Sequence, residues 1–243
     1  MKLKLFFLTM LIMNSFISAS AEFPVETFTT PQGRKVNISL INHGSIAVEY
    51  DGCLIQIDPV SEYGGKTLDY DSFPKADIVL VTHEHGDHLN ASTIESVSKE
   101  GTVLLLNAKS RDQIGKGESI GNGETRQLLK GIRLESVPAY NSTPGRERFH
   151  PKGNGNGYIL DFDGLRVYIS GDTEDIPEMS QIKDIYVAFM AVNQPYTMTV
   201  DQCLKAARII APKVLIPYHT GQTDLTPLEE VKDIDIRIYQ ELK

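Results

Sequence analysis

An α/β fold of mixed sheets covered by helices is what this sequence predicts, and two patterns predict it. Residues 45–59 and 157–173 each alternate apolar and polar side chains around an Asp-Gly pair, Asp51-Gly52 and Asp163-Gly164, the strongest short-range hairpin signal. Between and after these hairpins, short apolar runs alternate with capped helical segments, as strands covered by helices do. Each hairpin is followed by an acidic loop residue, Asp58 or Asp172, and the repetition suggests two similar halves.

Residues 76–82 and 102–107 read as buried strands. The helix between them is expected to start near Asn90 to Ser92, with Ser92 and Glu95 forming a capping box. Residues 185–192 and 213–220 make the next strand pair, joined by a helix that Thr199 and Gln202 open. Thr226-Pro227-Leu228-Glu229 offers a cap, a first-turn proline and a box glutamate for a last helix, and residues 235–242 close the chain as an expected edge strand. Residues 141–157 are polar, rich in Gly and Pro, and too long for an ordinary turn; they read as a lid or binding loop, or simply as a mobile connection.

The first 21 residues have Lys2 and Lys4, then an apolar run, then Ala19-Ser20-Ala21, the order of a signal peptide cleaved after Ala21. The alternative, an uncleaved anchor, is disfavoured because the run is short for a bilayer and is interrupted by Asn14 and Ser15. The expectation is a secreted or periplasmic protein with one domain over residues 22–243 and no membrane association once the leader is gone. Losing Lys2 and Lys4 from 24 basic residues set against 32 acidic ones takes the net charge from −8 to −10. That balance argues against a nucleic-acid partner, which needs a basic footprint. Cys53 and Cys203, the two cysteines, lie in apolar contexts and read as buried free thiols, although export would permit a disulfide.

Chemistry is concentrated in Val81-Thr82-His83-Glu84-His85-Gly86-Asp87-His88-Leu89, which holds three of the six histidines. It follows a buried strand, so its side chains leave the sheet at one edge. His83 and His85 are two apart and face the same way in an extended chain, as two ligands of one metal would. The bend at Gly86 redirects Asp87 and His88 toward a second metal. Imidazole and carboxylate together suit zinc first, and manganese or iron next. A histidine-rich surface tract is the bland alternative, but such a tract lacks the strand before and the capped helix after.

This motif resembles the His-x-His-x-Asp-His signature of the metallo-β-lactamase superfamily. Asp58 in Ile57-Asp58-Pro59, Asp172 in Gly171-Asp172-Thr173 and His219 in Tyr218-His219-Thr220 follow in the order of that family's other motifs. The flanking segments His43-Gly44-Ser45, Val137-Pro138-Ala139-Tyr140-Asn141, Phe149-His150-Pro151-Lys152-Gly153 and Tyr196-Thr197-Met198-Thr199 look most like the branch that includes ascorbate-6-phosphate lactonase. The resemblance implies a four-layer αββα sandwich with a binuclear, most simply di-zinc, site. By it His83 and His85 hold one metal, Asp87, His88 and His219 the other, and Asp172 bridges them. It further implies a hydrolase in which a metal-activated hydroxide, oriented by Asp87, attacks an ester-like bond. A lactone or phosphodiester is preferred, and a thioester or β-lactam would also fit. The substrate is a small molecule, one that could carry an anionic group.

The chain departs from the family pattern where a third histidine of the first metal is expected and Asn141 stands instead. His150 could replace it, or could act on substrate as an acid or hydrogen-bond donor. Asp58 reads as an outer carboxylate holding a ligand histidine, or as a loop cap. His43 is either pocket-lining or a turn histidine. Arg146 and Arg148 could grip an anion but are as readily exposed loop residues; Tyr196 and Tyr218 could donate to an oxyanion or merely pack. Asn141 also motivates a second hypothesis, a non-catalytic binding protein on a decayed site. Iron redox chemistry, a third, would normally need an electron-carrier domain for which there is no room.

Overall fold

The computed structural model describes residues 23–243, so the leader expected over residues 1–21 lies outside it. In chain order its elements are β1 (Val25–Thr29), β2 (Lys35–Asn42), β3 (Ser45–Tyr50), β4 (Cys53–Ile57), β5 (Glu62–Tyr63), β6 (Lys66–Thr67), β7 (Ile78–Val81), α1 (Ala91–Val97), β8 (Val103–Leu106), α2 (Ala108–Ile114) and β9 (Glu118–Ser119). They continue with β10 (Thr125–Gln127), β11 (Arg133–Ala139), β12 (Gly155–Phe162), β13 (Leu165–Ile169), β14 (Ile185–Ala191), α3 (Val200–Ile210), β15 (Val214–Tyr218), α4 (Thr226–Glu229) and β16 (Asp235–Ile236). No helix among the described residues is long and apolar enough to cross a membrane.

The two seven-stranded sheets have the same design, in spatial order β1-β2-β3-β4-β7-β8-β9 and β10-β11-β12-β13-β14-β15-β16. In each, four antiparallel strands are followed by three parallel ones. Asp51 and Gly52, like Asp163 and Gly164, all have positive φ, the conformation that a two-residue hairpin turn needs to match strand twist. Alternation then sorts the side chains. Ile78 and Leu80 point between the sheets, where they join Ile55, Ile57, Leu160, Val167, Phe189 and Ile216 in the largest core cluster.

The opposite faces are covered by helices, which completes the four αββα layers. Val79 and Val81 pack outward against Ile94 and Val97 of α1. On the second sheet, Tyr168, Met190 and Leu215 pack against Cys203, Ala206, Ala207 and Ile210 of α3, which recur at helical spacing along one face. Cys53 is buried between the sheets and Cys203 on the inner face of α3, and both thiols are free.

Three local expectations are corrected. Asn90, not Ser92, caps α1: its side chain accepts from the Thr93 amide at 2.9 Å, and Ser92, already inside the first turn, donates to Asn90 at 2.7 Å. Thr226 does not cap α4 but lies within it; Leu225 is the cap residue and cannot accept, so Asp224 takes the Thr226 amide instead. Only Asp235–Ile236 pairs as a strand in the last segment. Beyond it Arg237 and Tyr239 turn to Glu26 on β1, and Leu242 is buried in the core between the sheets. The segment closes one open side of the sandwich because its apolar residue finds more burial there than on a sheet edge.

Candidate metal centre

Carboxyl ends of parallel strands open onto a common edge, the place where α/β sheets present binding residues. β4 leads into Asp58, β7 into Thr82 and His83, β13 into Asp172, and β15 into His219. The backbone there is held by close approach. A Cβ on Gly171 would lie 2.4 Å from the Asn156 carbonyl oxygen, and one on Gly44 2.9 Å from the His88 ring. Both positions need glycine to bring Asp172 and His88 into the same space.

All six histidines of the chain meet at this edge, in two groups whose ligand atoms lie within 4.8 Å of one another: His83, His85, His150 and Asp172; and His43, Asp87, His88 and His219. In the first group His85 Nδ1 is 3.1 Å from His83 Nε2 and 3.2 Å from His150 Nε2. Asp172 Oδ2 is 3.1 Å from His150 Nε2 and 3.8 Å from His83 Nε2. Donors about 2.1 Å from a tetrahedral ion stand about 3.4 Å apart, so the spacing is that of a metal cage. In the second, Asp87 Oδ2 is 3.2 Å from His219 Nε2, 3.4 Å from His43 Nε2 and 3.8 Å from His88 Nε2. Asp172 lies between the groups, with Oδ1 3.4 Å from His88 Nε2 and Oδ2 3.3 Å from His219 Nε2.

Outer hydrogen bonds fix which nitrogen each ring turns inward. Asp58 is fully buried and accepts from the Thr82 amide at 2.8 Å, the Thr82 hydroxyl at 2.7 Å and His88 Nδ1 at 2.8 Å. The Thr82 hydroxyl, donating to Asp58, is free to accept from His83 Nδ1 at 3.0 Å. His150 Nδ1 donates to the Tyr196 carbonyl at 3.0 Å. In His83, His88 and His150 the proton is thus held outside and Nε2 presents its lone pair to the centre, the arrangement of metal-ligating imidazoles.

Electrostatics point the same way. Burial pushes the imidazoles of His83 and His85 below their usual range, keeping the neutral, ligating form. His88 is as deeply buried as His83, yet Asp172, Asp87 and Asp58 around it raise it well above the usual value. Positive charge is demanded at that point. His88 Nε2 and Asp172 Oδ1 are also buried with no hydrogen-bond partner among the described residues. A proton on His88 would serve only the His88–Asp172 contact, at 3.4 Å, whereas a divalent cation between the groups also engages the lone pairs of the other imidazoles, so the donor set fits metal ions.

Asn141 is buried but turned to other work. Its side-chain amide donates to the carbonyls of Arg146 at 3.3 Å and Tyr196 at 2.6 Å, and its backbone amide to His150 at 2.8 Å. It braces the loop that delivers His150. Arg146 is paired with the buried Glu174 at 3.2 Å, and Arg148 is exposed, with its guanidinium 4.8 Å over the Phe149 ring. Tyr218 is wholly buried, while Tyr196 is 45% exposed at the cleft wall.

Two anchors have no counterpart among the sequence-based expectations. Glu174 accepts from the amides of Ser142 and Thr143 at 2.8 and 2.6 Å as well as from Arg146. Glu84, inside the histidine motif, turns away from the site to accept from Lys109, Asn107 and Asn154. Residues 141–154 are therefore a strap tied at both ends. Only an acid flanked by ligands and not itself needed as one, as Glu84 is, hinted at this.

Above the centre is a cleft of about 290 Å³ walled by Tyr63, Phe149, Asn193 and Tyr196, with His85, Asp87, His150, Asp172 and His219 at its floor. A two-sheet sandwich with two candidate metal cages at one edge is an architecture that metal-dependent hydrolases use, and the relatives of this chain are of that class. The chain belongs to the beta-lactamase superfamily domain family, whose pattern it matches over residues 37–219. A protein of Parabacteroides distasonis, provisionally described as a metal-dependent hydrolase, has a crystal structure 52% identical in sequence, with a TM-score of 0.87 over 91% of this chain and all of that one. Igni18, a metallo hydrolase from Ignicoccus hospitalis, is 26% identical, with a TM-score of 0.70 over 86% of this chain and 96% of that one. The UPF0173 metal-dependent hydrolase of Methanopyrus kandleri is 29% identical over 205 residues, 80% of this chain and 87% of its own. These relatives support the superfamily and the hydrolase class and do not confirm a lactonase-like branch.

Proposed function

We propose that the chain is an exported hydrolase of ester-like bonds, preferring uncharged lactones to charged phosphodiesters and working with two zinc ions. The observation that carries the metal reading is the convergence of six imidazoles and two carboxylates on one edge, with outer hydrogen bonds turning the lone pairs inward. His83, His85, His150 and Asp172 would hold one ion, and Asp87, His88, His219 and Asp172 the other. Bound there, the ions would acidify water toward neutral pH and polarise the substrate oxygen.

The chain's own groups would do the rest. Asp87, 25% exposed, is the carboxylate of the second group that opens to the cleft, and its oxygen not facing His219 would hold a proton of the attacking water. The Tyr196 phenol on the cleft wall is placed to donate to a developing oxyanion, a role that Tyr218 is too deeply buried to share. His150 is proposed as a ligand and not as the acid, since its Nδ1 proton is committed to the Tyr196 carbonyl.

Preference for an uncharged substrate rests on the walls. Among the described residues no lysine or arginine lines the cleft, and Arg146 is taken by Glu174. A phosphodiester would find only the metals for its charge. The test is turnover of aryl lactones, aryl esters, an aryl phosphodiester, a thioester and a chromogenic β-lactam by protein carrying two metals per chain. Fastest turnover of lactones or esters is expected, and a fully loaded protein inert toward every one of them would defeat the proposal. Export predicts Glu22 as the first residue of protein recovered from its host, and an intact leader would refute it.

A further inference from the structure

His43 is the histidine that the family-like ligand set does not use, and it is the one most firmly aimed. It lies at the turn between β2 and β3 with a positive φ of 53°, an uncommon conformation for a non-glycine residue. Gly44 beside it presses the turn against His88 so closely that a Cβ would collide with the ring. The imidazole is clamped between two others, 3.7 Å from the Tyr63 ring at an interplanar angle of 25° and 3.7 Å from the His219 ring. It is almost wholly buried.

The proton position follows from its partner. His43 Nδ1 is 3.0 Å from the main-chain oxygen of Lys243, and an oxygen of that kind can only accept, so Nδ1 carries hydrogen. The segment that provides this oxygen is itself fixed, since the amides of His43 and Thr220 donate to Glu241 and Leu242 and the Leu242 side chain is in the core. In the neutral ring Nε2 is then a lone pair, facing Asp87 Oδ2 at 3.4 Å. A lone pair against a carboxylate is repulsive with nothing between them; a cation shared by both makes it attractive.

We propose that His43 is a metal ligand of the second group, through Nε2, so that this group offers His43, Asp87, His88, His219 and Asp172 where the first offers four side chains. The inference rests on the reading of a binuclear centre given above. Its consequence is two unlike sites: a four-donor cage, which suits zinc, and a five-donor cage, which also accommodates an ion preferring more than four ligands, such as manganese or iron. The alternative is a protonated His43 ion-paired with Asp87, an outer partner that touches no metal.

The two are separated by nuclear magnetic resonance of the full-length protein, labelled with nitrogen-15 in histidine and loaded with cadmium-113 as the probe metal. A nitrogen bound to the metal shows scalar coupling to it, and an outer partner does not. Six coupled imidazoles are expected, falling to five in His43→Gln, with second-site affinity for the probe at least about 10-fold weaker. A wild-type spectrum in which the imidazole that His43→Gln removes is uncoupled, while others are coupled, overturns the proposal and leaves the binuclear reading standing. No coupling at any imidazole defeats both. Where the variant fails to fold, six coupled imidazoles in the wild-type protein establish His43 as a ligand, and an uncoupled imidazole whose Nδ1 proton is assigned to the Lys243 oxygen overturns it.

Discussion

His150 and Asn141 donate to the same acceptor: the Tyr196 carbonyl oxygen takes His150 Nδ1 at 3.0 Å and the Asn141 side-chain amide at 2.6 Å. A residue at the family's usual ligand position thus holds the loop from which another residue reaches the site. The roles predict different losses. His150→Ala should remove a donor and reduce bound metal by about one ion per chain. Asn141→Ala should leave both ions bound, with affinity at the first site weaker by about 10- to 100-fold, as outer partners cost. Elemental analysis after dialysis against graded chelator checks this, and equal loss in both variants would contradict the division of roles.

Asp58 should matter as much to the second group. It takes three donors, two from Thr82 and one from His88, and has no donor of its own. Asp58→Asn turns an NH2 toward at least one of them and removes the charge that orients His88. Expected are a metal affinity about 10- to 100-fold lower and a stability loss of about 2 kcal/mol or more, read by chelator competition and urea unfolding.

How far these residues could be read from the sequence depends on how local their partners are. His83, His85, Asp87 and His88 announce themselves because one strand end carries them all, and the Asp-Gly hairpins because turn geometry is decided by two neighbouring residues. Thr199 and Gln202 form the expected capping box for the same reason. Asn90 outranked Ser92 through where the helix entered its first turn, which spacing alone leaves open by two residues. The anchoring by Glu174 and Glu84 is hard to read from sequence because their donors lie 23 to 70 residues away. The last strand failed because Leu242 is drawn into a core that only the assembled sheets create.

Glu174 is the stronger of the two loop anchors. It is fully buried and accepts from two backbone amides and from Arg146, so removing it strands all three donors. Glu174→Ala should destabilise the protein by about 3 kcal/mol in urea and weaken first-site metal binding, because residues 142–149 lead directly to His150. Arg146→Ala, whose side chain is partly open to solvent, should cost about 1 kcal/mol. A variant order reversed from this would show that the ion pair and not the backbone amides carries the anchor.

Acid should release the other end of the strap. Burial alone would raise the Glu84 carboxyl, but hydrogen bonds from Lys109, Asn154 and Asn107 bring it down to about 2. A depressed acid stabilises the fold fully above its unfolded value, about 4.3, and the contribution fades as pH falls through the folded value. The Lys109 end is exposed and adds little, so the amide donors from Asn107 and Asn154 carry most of the effect. Glu84→Gln should therefore be about 1 to 2 kcal/mol less stable than wild type at pH 7, with the gap closing between pH 4 and pH 2. Paired urea titrations across that range provide the check. A gap that persists at pH 2 would mean that Glu84 acts through shape and not through charge.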